Sequence, residues 1–569
     1  MMQDSQTTNA IRVNHVGFMK HAAKHFMIEH PPENNFRVEY LYHTAYQTVY
    51  EGILQFEEGE QGSGWVGCFS PVTEEGNYRI CCGDLNSRLF VIWDKAHDTT
   101  ARVLLNYFTW QRCGHPLGWA GLCHQDDGYI AETGEHIDLT GGYHQSCDLR
   151  KSPGGVSIGV LGLVKYALLD KPLWGMDSIP DEVRWACDYY VKSIQPNGCM
   201  YNTLNDPLGW AGREFYQSGA PANAQWNVMR ILTMGSAIIQ DRAELYLRTA
   251  RRMWNYMVNE RPDGPYRHPA ASLPRGMDPE SFYAASFKGS TADISTRLSA
   301  AADFYRVTGE DHWLDEVTNM ANVLCVRFVG GDDQCAACLL VDEDTAEILD
   351  SAPTYGWLGG GTLSLCDALE LLPDSDCAPK WRGYLDKAAQ RYVTMSEKNI
   401  WRLPASFYSD ADLDKTTGHP APGRKLRTKR EQIDKLYPAG TIKVSSGEQS
   451  AYYRFITKAR VSVLSNGILM LRRAAVILAE PELDQIAQRQ LDYIFGSNPF
   501  DATPVESVGY NQTALPAYGQ FFPSTPQIPG AINVGFTANN HQTDVGAEYD
   551  MPLVGFLLWV LGDMAAARN

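Results

Sequence analysis

The spacing of apolar residues changes near residue 98, and this change limits the folds that the chain can adopt. Up to that point apolar and polar residues alternate in short runs, and beyond it apolar residues recur every three or four positions. Alternation is typical of β-strands, and the longer spacing is typical of amphipathic helices. A chain of 569 residues is also too long for one ordinary compact core. We therefore predict a domain of strands over residues 10–97 and a domain of helices over residues 98–569.

The first domain is predicted to be a small β-sandwich. It contains about seven short alternating runs separated by clusters of Gly, Pro and Asn, a pattern typical of sandwich domains. The predicted strands cover residues 11–16, 25–29, 36–42, 47–50, 65–69, 78–82 and 89–93.

The second domain is predicted to be entirely helical. One-sided apolar faces are clearest in residues 183–194, 294–305 and 463–478. About a dozen such segments would fit six inner and six outer helices closed into a double ring. Long loops would then gather at one end, where a site is expected. Two long loops are predicted, over residues 407–448 and 498–548.

Charge and terminal sequence limit the partners and the compartment. The formal net charge of −18 argues against a nucleic-acid partner and an anionic membrane surface, because both require clustered Lys and Arg. The first residues show no secretory signal, and the apolar stretch at residues 551–561 is too short to cross a bilayer. Thirteen Cys residues in a large chain of this kind predict reduced thiols and a cytoplasmic protein, and a secreted form trimmed of its signal is the alternative.

Two glycines and several polar groups stand together in residues 138–151, which read DLTGGYHQSCDLRK. Gly141 and Gly142 permit a tight turn ahead of a helix that is expected to start near Val156. Asp148 follows the turn, where a carboxylate could activate water. The alternative is that Asp148 caps the next helix or pairs with Arg150.

A second acidic cluster precedes the last apolar helix. Asp544, Glu548 and Asp550 lie just before it, where the helix dipole alone would stabilise acids. A chemical role requires one of these carboxyls to hold a proton near neutral pH. Two carboxyls from distant parts of a chain, one an acid and one a base, form the arrangement that hydrolyses glycosidic bonds.

Thiols and imidazoles follow one another at the start of the helical domain. Cys113, Cys123 and His124 precede His136 and His144. Four such side chains complete the tetrahedron of a structural zinc site. Buried cysteines and hydrogen-bonded histidines would explain the same pattern.

Several short motifs, in this order, resemble those of glycoside hydrolase family 9, in the subgroup with an N-terminal immunoglobulin-like domain. They are IRVNHVGF at residues 11–18, YFTWQRCG at 107–114, Cys123-His124, GGYH at 141–144, LDYIFGSNP at 491–499 and MPLV at 551–554. The resemblance covers nearly the whole chain. It implies an N-terminal Ig-like β-sandwich followed by an all-α (α/α)6 barrel, an inverting mechanism and substrates with β-linked sugars.

The resemblance also assigns roles to individual residues. The general base of the family matches Asp148, and the aspartate that helps to hold the water is replaced by Gln145. The general acid, a glutamate in the family, matches Asp544, with Glu548 four residues on as the second candidate. The substrate-binding His-His-Arg segment should fall between Asn511 and Phe522, where this chain has neither His nor Arg.

The subgroup also holds a zinc with two Cys and two His. Cys113, Cys123 and His124 match its ligands, with His144 as the fourth and His136 in reserve. Its role would be structural, since four protein ligands leave no position for water. No organic cofactor is expected.

We therefore predict an inverting glycoside hydrolase that acts on a β-linked oligosaccharide and is not an ordinary cellulase. The alternatives are a non-hydrolytic carbohydrate-binding protein and a uronide lyase on a related barrel. The sequence leaves the oligomeric state undetermined. The candidate substrate-binding residues are Tyr143, Trp119, Trp210, Trp357 and Tyr518.

Overall fold

A computed structural model gives the architecture of the chain. It describes residues 10–60, 62–131, 133–147, 149–169, 178–203, 215–262, 288–329, 338–339, 361–409, 416–417, 427–428, 442–446, 449–455, 461–511, 527–533 and 549–566.

The N-terminal domain is a sandwich of two antiparallel sheets. One sheet has the strand order β1-β5-β4, and the other has the order β3-β2-β6-β7 with β8 also paired to β6. Its eight strands are β1 (His25–Ile28), β2 (Asn35–Tyr42), β3 (Ala45–Ile53), β4 (Gln55–Gly59), β5 (Gly62–Cys68), β6 (Gly76–Cys82), β7 (Leu85–Asn86) and β8 (Phe90–Ile92).

Aromatic side chains from both sheets fill the space between them. The ring of Phe26 on β1 meets that of Phe36 on β2 with centroids 4.8 Å apart and nearly perpendicular planes. Phe18 lies edge-on to Phe69 and Phe90 at 5.3 and 5.6 Å. Such edge-to-face packing is the preferred geometry of buried aromatic pairs. Because these rings face the space between the sheets, they contribute to the alternating pattern from which the domain was predicted.

The predicted first strand, residues 11–16, is wrong. This segment makes only an isolated bridge between Arg12 and Met27. Asn14 and His15 instead turn towards the helical domain, where the amide of Asn14 donates to Asp492 Oδ1 at 2.9 Å and the backbone N–H of His15 donates to the Phe495 carbonyl at 2.7 Å. The alternating pattern reflects a segment that packs against two domains and not a ladder strand.

Twelve α-helices follow among the described residues, confirming the predicted helical domain. They are α1 (Asp98–Gln111), α2 (Pro153–Ala167), α3 (Ile179–Ser193), α4 (Ala222–Ile238), α5 (Ala243–Asn255), α6 (Thr291–Thr308), α7 (His312–Cys325), α8 (Gly361–Leu371), α9 (Ala378–Glu397), α10 (Val461–Leu478), α11 (Pro481–Ile494) and α12 (Met551–Ala566).

The even-numbered helices form a closed inner ring. Each contacts the next, and α12 packs back against α2. The odd-numbered helices pack outside them, with α3, α5, α7, α9 and α11 against the preceding inner helix and α1 against α12. This arrangement is the predicted (α/α)6 barrel. No helix among the described residues has both the length and the apolar character needed to cross a membrane.

Short strands lie between the helices. They are β9 (Tyr129–Ile130), β10 (Tyr201–Thr203), β11 (Phe215–Ser218), β12 (Phe328–Val329), β13 (Cys338–Leu339), β14 (Ala405–Ser409), β15 (Thr416–Thr417), β16 (Arg427–Thr428), β17 (Ile442–Ser446) and β18 (Gln449–Phe455). The segment at 407–448, predicted to be a loop, contains parts of a sheet with the order β14-β18-β17. The pairing of β14 with β18 joins residues about 45 positions apart, so local composition did not reveal it.

Glycines allow α2 and α12 to approach each other very closely. A side-chain carbon on Gly162 would overlap the backbone of Gly555, and one on Gly555 would overlap the backbone of Gly159. Only residues without a Cβ permit backbones to meet in this way. This contact fixes the start of α12 beside the start of α2, where the candidate site lies.

Ion pairs occupy the opposite end of the inner ring. Asp303 accepts from Lys165 Nζ at 2.6 Å and from Arg230 Nε at 2.7 Å, while Asp367 accepts from Arg306 at 3.0 Å and from Arg473 at 2.8 Å. Both carboxylates are nearly fully buried, so these bonds replace their lost hydration.

Candidate active site and metal cluster

The glycine turn is joined to the end of α1 by backbone hydrogen bonds. Gly141 and Gly142 have φ values of +93° and +72°, which other residues rarely adopt. The N–H of Cys113 donates to the Gly142 carbonyl, and the N–H of His144 donates to the Gln111 carbonyl, each at 2.9 Å. The turn therefore brings His144 to Cys113, although thirty residues separate them.

Four predicted ligands lie together at this junction. One donor atom from each of Cys113, Cys123, His124 and His144 lies within 4.8 Å of the others. The two sulfurs are 3.6 Å apart, and Cys123 Sγ lies 3.2 Å from His144 Nε2. A tetrahedral zinc with Zn–S bonds of about 2.3 Å separates two sulfurs by roughly 3.8 Å. The side chains are thus close to the spacing of a four-ligand metal site.

The surroundings of the cluster also fit a metal. His124 is 3% exposed, and neither of its ring nitrogens has a hydrogen-bond partner among the described residues. The backbone N–H of Gly114 points at Cys123 Sγ, 3.4 Å away. The pKa of the Cys123 thiol is lowered to about 2, because the Cys113 thiol and the His124 and His144 rings lie beside its sulfur. A thiolate is the form that binds metal.

His136, the reserve ligand, lies outside this cluster. Its Nε2 is 3.4 Å from Asp126 Oδ1, and both side chains are at least half exposed. His144 is therefore the fourth member of the group.

Tyr143, which was predicted to bind substrate, lies in the interior of the protein. It is 1% exposed, and its hydroxyl donates to Glu182 Oε1 at 2.8 Å. Glu182 also accepts from Arg112 at 2.8 Å and from the hydroxyl of Thr109 at 2.9 Å. Burial, and Glu182 next in effect, raise the pKa of Tyr143 well above its usual value. Tyr143 thus anchors the glycine turn to α1 and α3.

Trp119 is the only one of the remaining predicted sugar-contacting residues that lies in the described part of the chain. Its indole N–H donates to Gln111 Oε1 at 2.9 Å, and its ring lies 5.8 Å from that of His144. It is half-buried against the metal cluster, so its contact with sugar stays a prediction. Trp210, Trp357 and Tyr518 lie outside the described residues.

Sequence reasoning missed a buried ion pair beside the turn. Lys151 Nζ donates to Asp127 Oδ2 at 2.7 Å and to the Leu139 carbonyl at 2.6 Å, and the Tyr216 hydroxyl donates to the same Asp127 oxygen at 2.9 Å. Lys151 and Asp127 are completely buried. Burial alone would lower the pKa of Lys151, but the neighbouring Cys113, Tyr189 and Asp127 raise it. The sequence spacing of Asp127 and Lys151 does not indicate this pair, although Lys151 is the last residue of the glycine-containing motif at residues 138–151.

Gln145 connects the turn to both helices that begin here. The N–H of Met551, the first residue of α12, donates to the Gln145 carbonyl at 3.0 Å. A side-chain carbon on Gly155, in the first turn of α2, would overlap Gln145 Oε1. The side chain of Gln145 therefore rests against the start of α2, and the residue is partly exposed.

The predicted catalytic acids Asp148, Asp544 and Glu548 lie outside the described residues. The segments that carry them nevertheless meet, because Ser146 pairs with Asp550 in an antiparallel bridge. The capping alternative for Asp148 loses its support, since Ser152 caps α2 by accepting from the Gly155 N–H at 3.0 Å.

Comparison with known proteins identifies the family of this chain. The family model for glycosyl hydrolase family 9 matches residues 98–516, and the model for the cellulase N-terminal Ig-like domain matches residues 6–87. The chain belongs to glycosyl hydrolase family 9. This match confirms the resemblance seen in the sequence. The protein is therefore a glycosidase.

One curated relative is a cellodextrinase from Butyrivibrio fibrisolvens, 27% identical over 219 residues. The match spans 34% of the family 9 chain and 39% of the relative. Because this is less than half of either protein, it does not by itself carry the activity across.

Solved structures share the fold at low identity. A thermostable endoglucanase from Alicyclobacillus acidocaldarius is 16% identical with a TM-score of 0.67, covering 98% of this chain and 100% of its own. A Zn-binding triple mutant of the family 9 endoglucanase J30 is 15% identical with a TM-score of 0.65, covering 96% and 99%. At these identities the likeness extends to the fold alone.

Proposed function

We propose that the chain is an inverting glycoside hydrolase that acts on a β-linked oligosaccharide. The observation that carries the proposal is the meeting of two segments at the starts of α2 and α12, where Ser146 pairs with Asp550. Asp148 is two residues beyond Ser146, and Glu548 is two residues before Asp550. Family membership and the match to a cellodextrinase agree with this reaction.

The proposed mechanism divides the work between carboxyl groups. Asp148 takes a proton from the water that attacks the anomeric carbon, while Asp544 or Glu548 protonates the departing oxygen. An inverting site leaves about 6.5–9.5 Å between the two carboxyls, which is the space that the water occupies. Gln145 can hold this water by a hydrogen bond but cannot accept its proton.

The substrate is proposed to be a short soluble oligosaccharide and not crystalline cellulose. Gln145 replaces an acid of the family pattern, and residues 511–522 contain neither His nor Arg. Relative to the family pattern, both differences remove charged side chains from the region expected to bind a cellulose chain. The cytoplasmic location predicted from the sequence is retained as part of this proposal.

Zinc is the metal that we propose for the four-ligand cluster. Two thiolates and two imidazoles are its usual structural donor set, and they would complete a tetrahedron without water. The bound metal would supply a cross-link between the end of α1 and the glycine turn.

The two alternative functions differ in how well they agree with the residues of the site. A uronide lyase would need a free Tyr or His base, and Tyr143 is buried against Glu182. A non-hydrolytic carbohydrate-binding protein is favoured by Gln145, which cannot act as a base, and by the absence of His and Arg from residues 511–522. The absence of any hydrolysis with retained sugar binding would select this second function.

Hydrolysis of cellopentaose and related β-linked oligosaccharides tests the proposal. Proton NMR should show the α-anomer as the first product, since attack from the opposite face inverts the β-linkage. Asp148→Asn should lose turnover by more than a hundredfold while keeping its melting temperature. Asp126→Asn, which changes an exposed acid in the same stretch between α1 and α2, is the matched control and should retain activity. Full turnover in Asp148→Asn would remove this residue from the mechanism.

A further inference from the structure

The imidazole of His144 lies between the metal cluster and the backbone that follows the glycine turn. Its Nε2 is 3.2 Å from Cys123 Sγ, and its Nδ1 is 2.8 Å from the Leu149 carbonyl oxygen. A carbonyl oxygen only accepts hydrogen bonds, so Nδ1 carries the hydrogen and donates it. The Nε2 lone pair is then directed at the cluster, in the tautomer that a metal binds.

The accepting carbonyl belongs to the residue that follows Asp148 in the chain. The same turn is closed by the Gln145 N–H, which donates to the Arg150 carbonyl at 3.1 Å, and by a bridge between His144 and Lys151. His144 is fully buried, so its ring cannot exchange this bond for one to solvent. Beside these two backbone contacts, the orientation of the imidazole ring therefore helps to determine the position of the Leu149 peptide.

We propose that His144 is a positioning residue that couples metal occupancy to turnover. A metal bound at Nε2 fixes the ring, the ring holds the Leu149 carbonyl through Nδ1–H, and this bond fixes the backbone next to the proposed base. The inference rests on the proposed function for the role of Asp148. It goes beyond a structural metal, which would change the stability of the fold and leave the rate of the folded enzyme unaltered.

His124 provides the comparison that separates these two roles. It belongs to the same cluster, yet neither ring nitrogen has a hydrogen-bond partner among the residues that the structure describes. His124 can therefore contribute to metal binding without a link to the turn. Groups that hydrogen-bond a metal-binding histidine change metal affinity or activity by about 10- to 100-fold when they are removed.

The test compares His144→Cys with His124→Cys in the full-length protein. Each variant presents three Cys and one His, a set that zinc also accepts in tetrahedral sites. Zinc content, melting temperature, kcat and KM on cellopentaose are measured for both after zinc loading. At equal zinc content, His144→Cys should lose roughly tenfold more kcat than His124→Cys, with KM similar in the two. Equal kcat values in the two zinc-loaded variants would overturn the coupling.

A second measurement uses the wild-type protein and does not depend on enzymatic activity. Protein labelled with 15N only at histidine should show a slowly exchanging Nδ1–H resonance for His144 when zinc is bound. Chelation should accelerate its exchange with water, and an unaltered resonance would also overturn the coupling. A wild-type protein that shows this resonance but hydrolyses no β-linked oligosaccharide would refute the proposed function and leave the bond to Leu149 intact.

Discussion

The backbone N–H of Met551 donates to the carbonyl oxygen of Gln145 across 3.0 Å. This bond joins the turn after Gly142 to the first residue of the last inner helix. It lies at the end of the inner ring opposite the ion pairs of Asp303 and Asp367. Two segments from the beginning and the end of the helical domain therefore meet where the acids of both are predicted to act.

The close approach of α2 and α12 should be essential for this meeting. Gly555→Ala places a carbon against the backbone of Gly159, and overpacking of this kind costs about 1–3 kcal/mol. We expect a lower free energy of unfolding in urea and, because the start of α12 shifts, lower turnover. Gly383→Ala on α9 is the control, since nothing lies within 4 Å of the added carbon. A Gly555→Ala protein as stable as this control would show that the helices can separate without cost.

Tyr143 should contribute to stability and not to sugar binding. Tyr143→Phe removes the hydroxyl that donates to both the carboxylate and the backbone carbonyl of the buried Glu182, whose carboxylate retains Arg112 and Thr109. We expect a loss of about 1–2 kcal/mol in chemical denaturation, with KM for cellopentaose unchanged. Tyr129→Phe, which removes an exposed bond to Asp126, should cost less than half as much. A raised KM with unaltered stability would instead support Tyr143 as a substrate-binding residue.

Metal removal should destabilise the fold. A ligand present at a hundred times its dissociation constant adds about 2.7 kcal/mol to the native state. We therefore expect one zinc per chain by elemental analysis and a lower melting temperature after chelation. Cys123→Ser should reproduce the chelated state, whereas Cys68→Ser, at an exposed thiol of the sandwich domain, should behave as the wild type. Chelator-washed protein with no metal and an unchanged melting temperature would refute zinc in this cluster.

The contact between the two domains should depend on pH through Asp492. Burial raises the pKa of this carboxyl to about 7, although bonds from Asn14 and Gln488 oppose the rise. The folded state thus binds the proton more tightly than the unfolded chain, whose Asp has a pKa of about 3.9. This contribution to stability is complete below pH ~4 and is lost as the pH rises through 7.

Asp492→Asn tests this dependence, because its carbonyl can still accept both hydrogen bonds without a charge. We expect the variant to be more stable than the wild type at pH 8 and its free energy of unfolding to vary less between pH 4 and 8. Asp484→Asn on the same helix, where the side chain is about half exposed, is the control. Parallel stability curves for Asp492→Asn and the wild type would contradict a buried neutral carboxyl.

The sequence determined the architecture because each domain has its own hydrophobic period. The alternating aromatic residues around Phe26 and Phe36 predict a sandwich, and the one-sided face of residues 183–194 predicts α3. The family resemblance also implied the cluster of Cys113, Cys123, His124 and His144, with His136 in reserve, whereas the spacing of these residues alone left buried cysteines and hydrogen-bonded histidines as an alternative. Residues 11–16 were misassigned because their alternating pattern serves an interface between domains.

Only the tertiary structure decided how the turn at Gly142 is held. The bonds of Tyr143 to Glu182, Lys151 to Asp127 and His144 to Leu149 join residues whose spacing follows no local period. The first two pairs meet because the packed helices and strands exclude water, and a buried charge or hydroxyl then requires a partner. A sequence pattern records which residues prefer the interior, whereas the identity of each buried partner depends on the packing of the whole barrel.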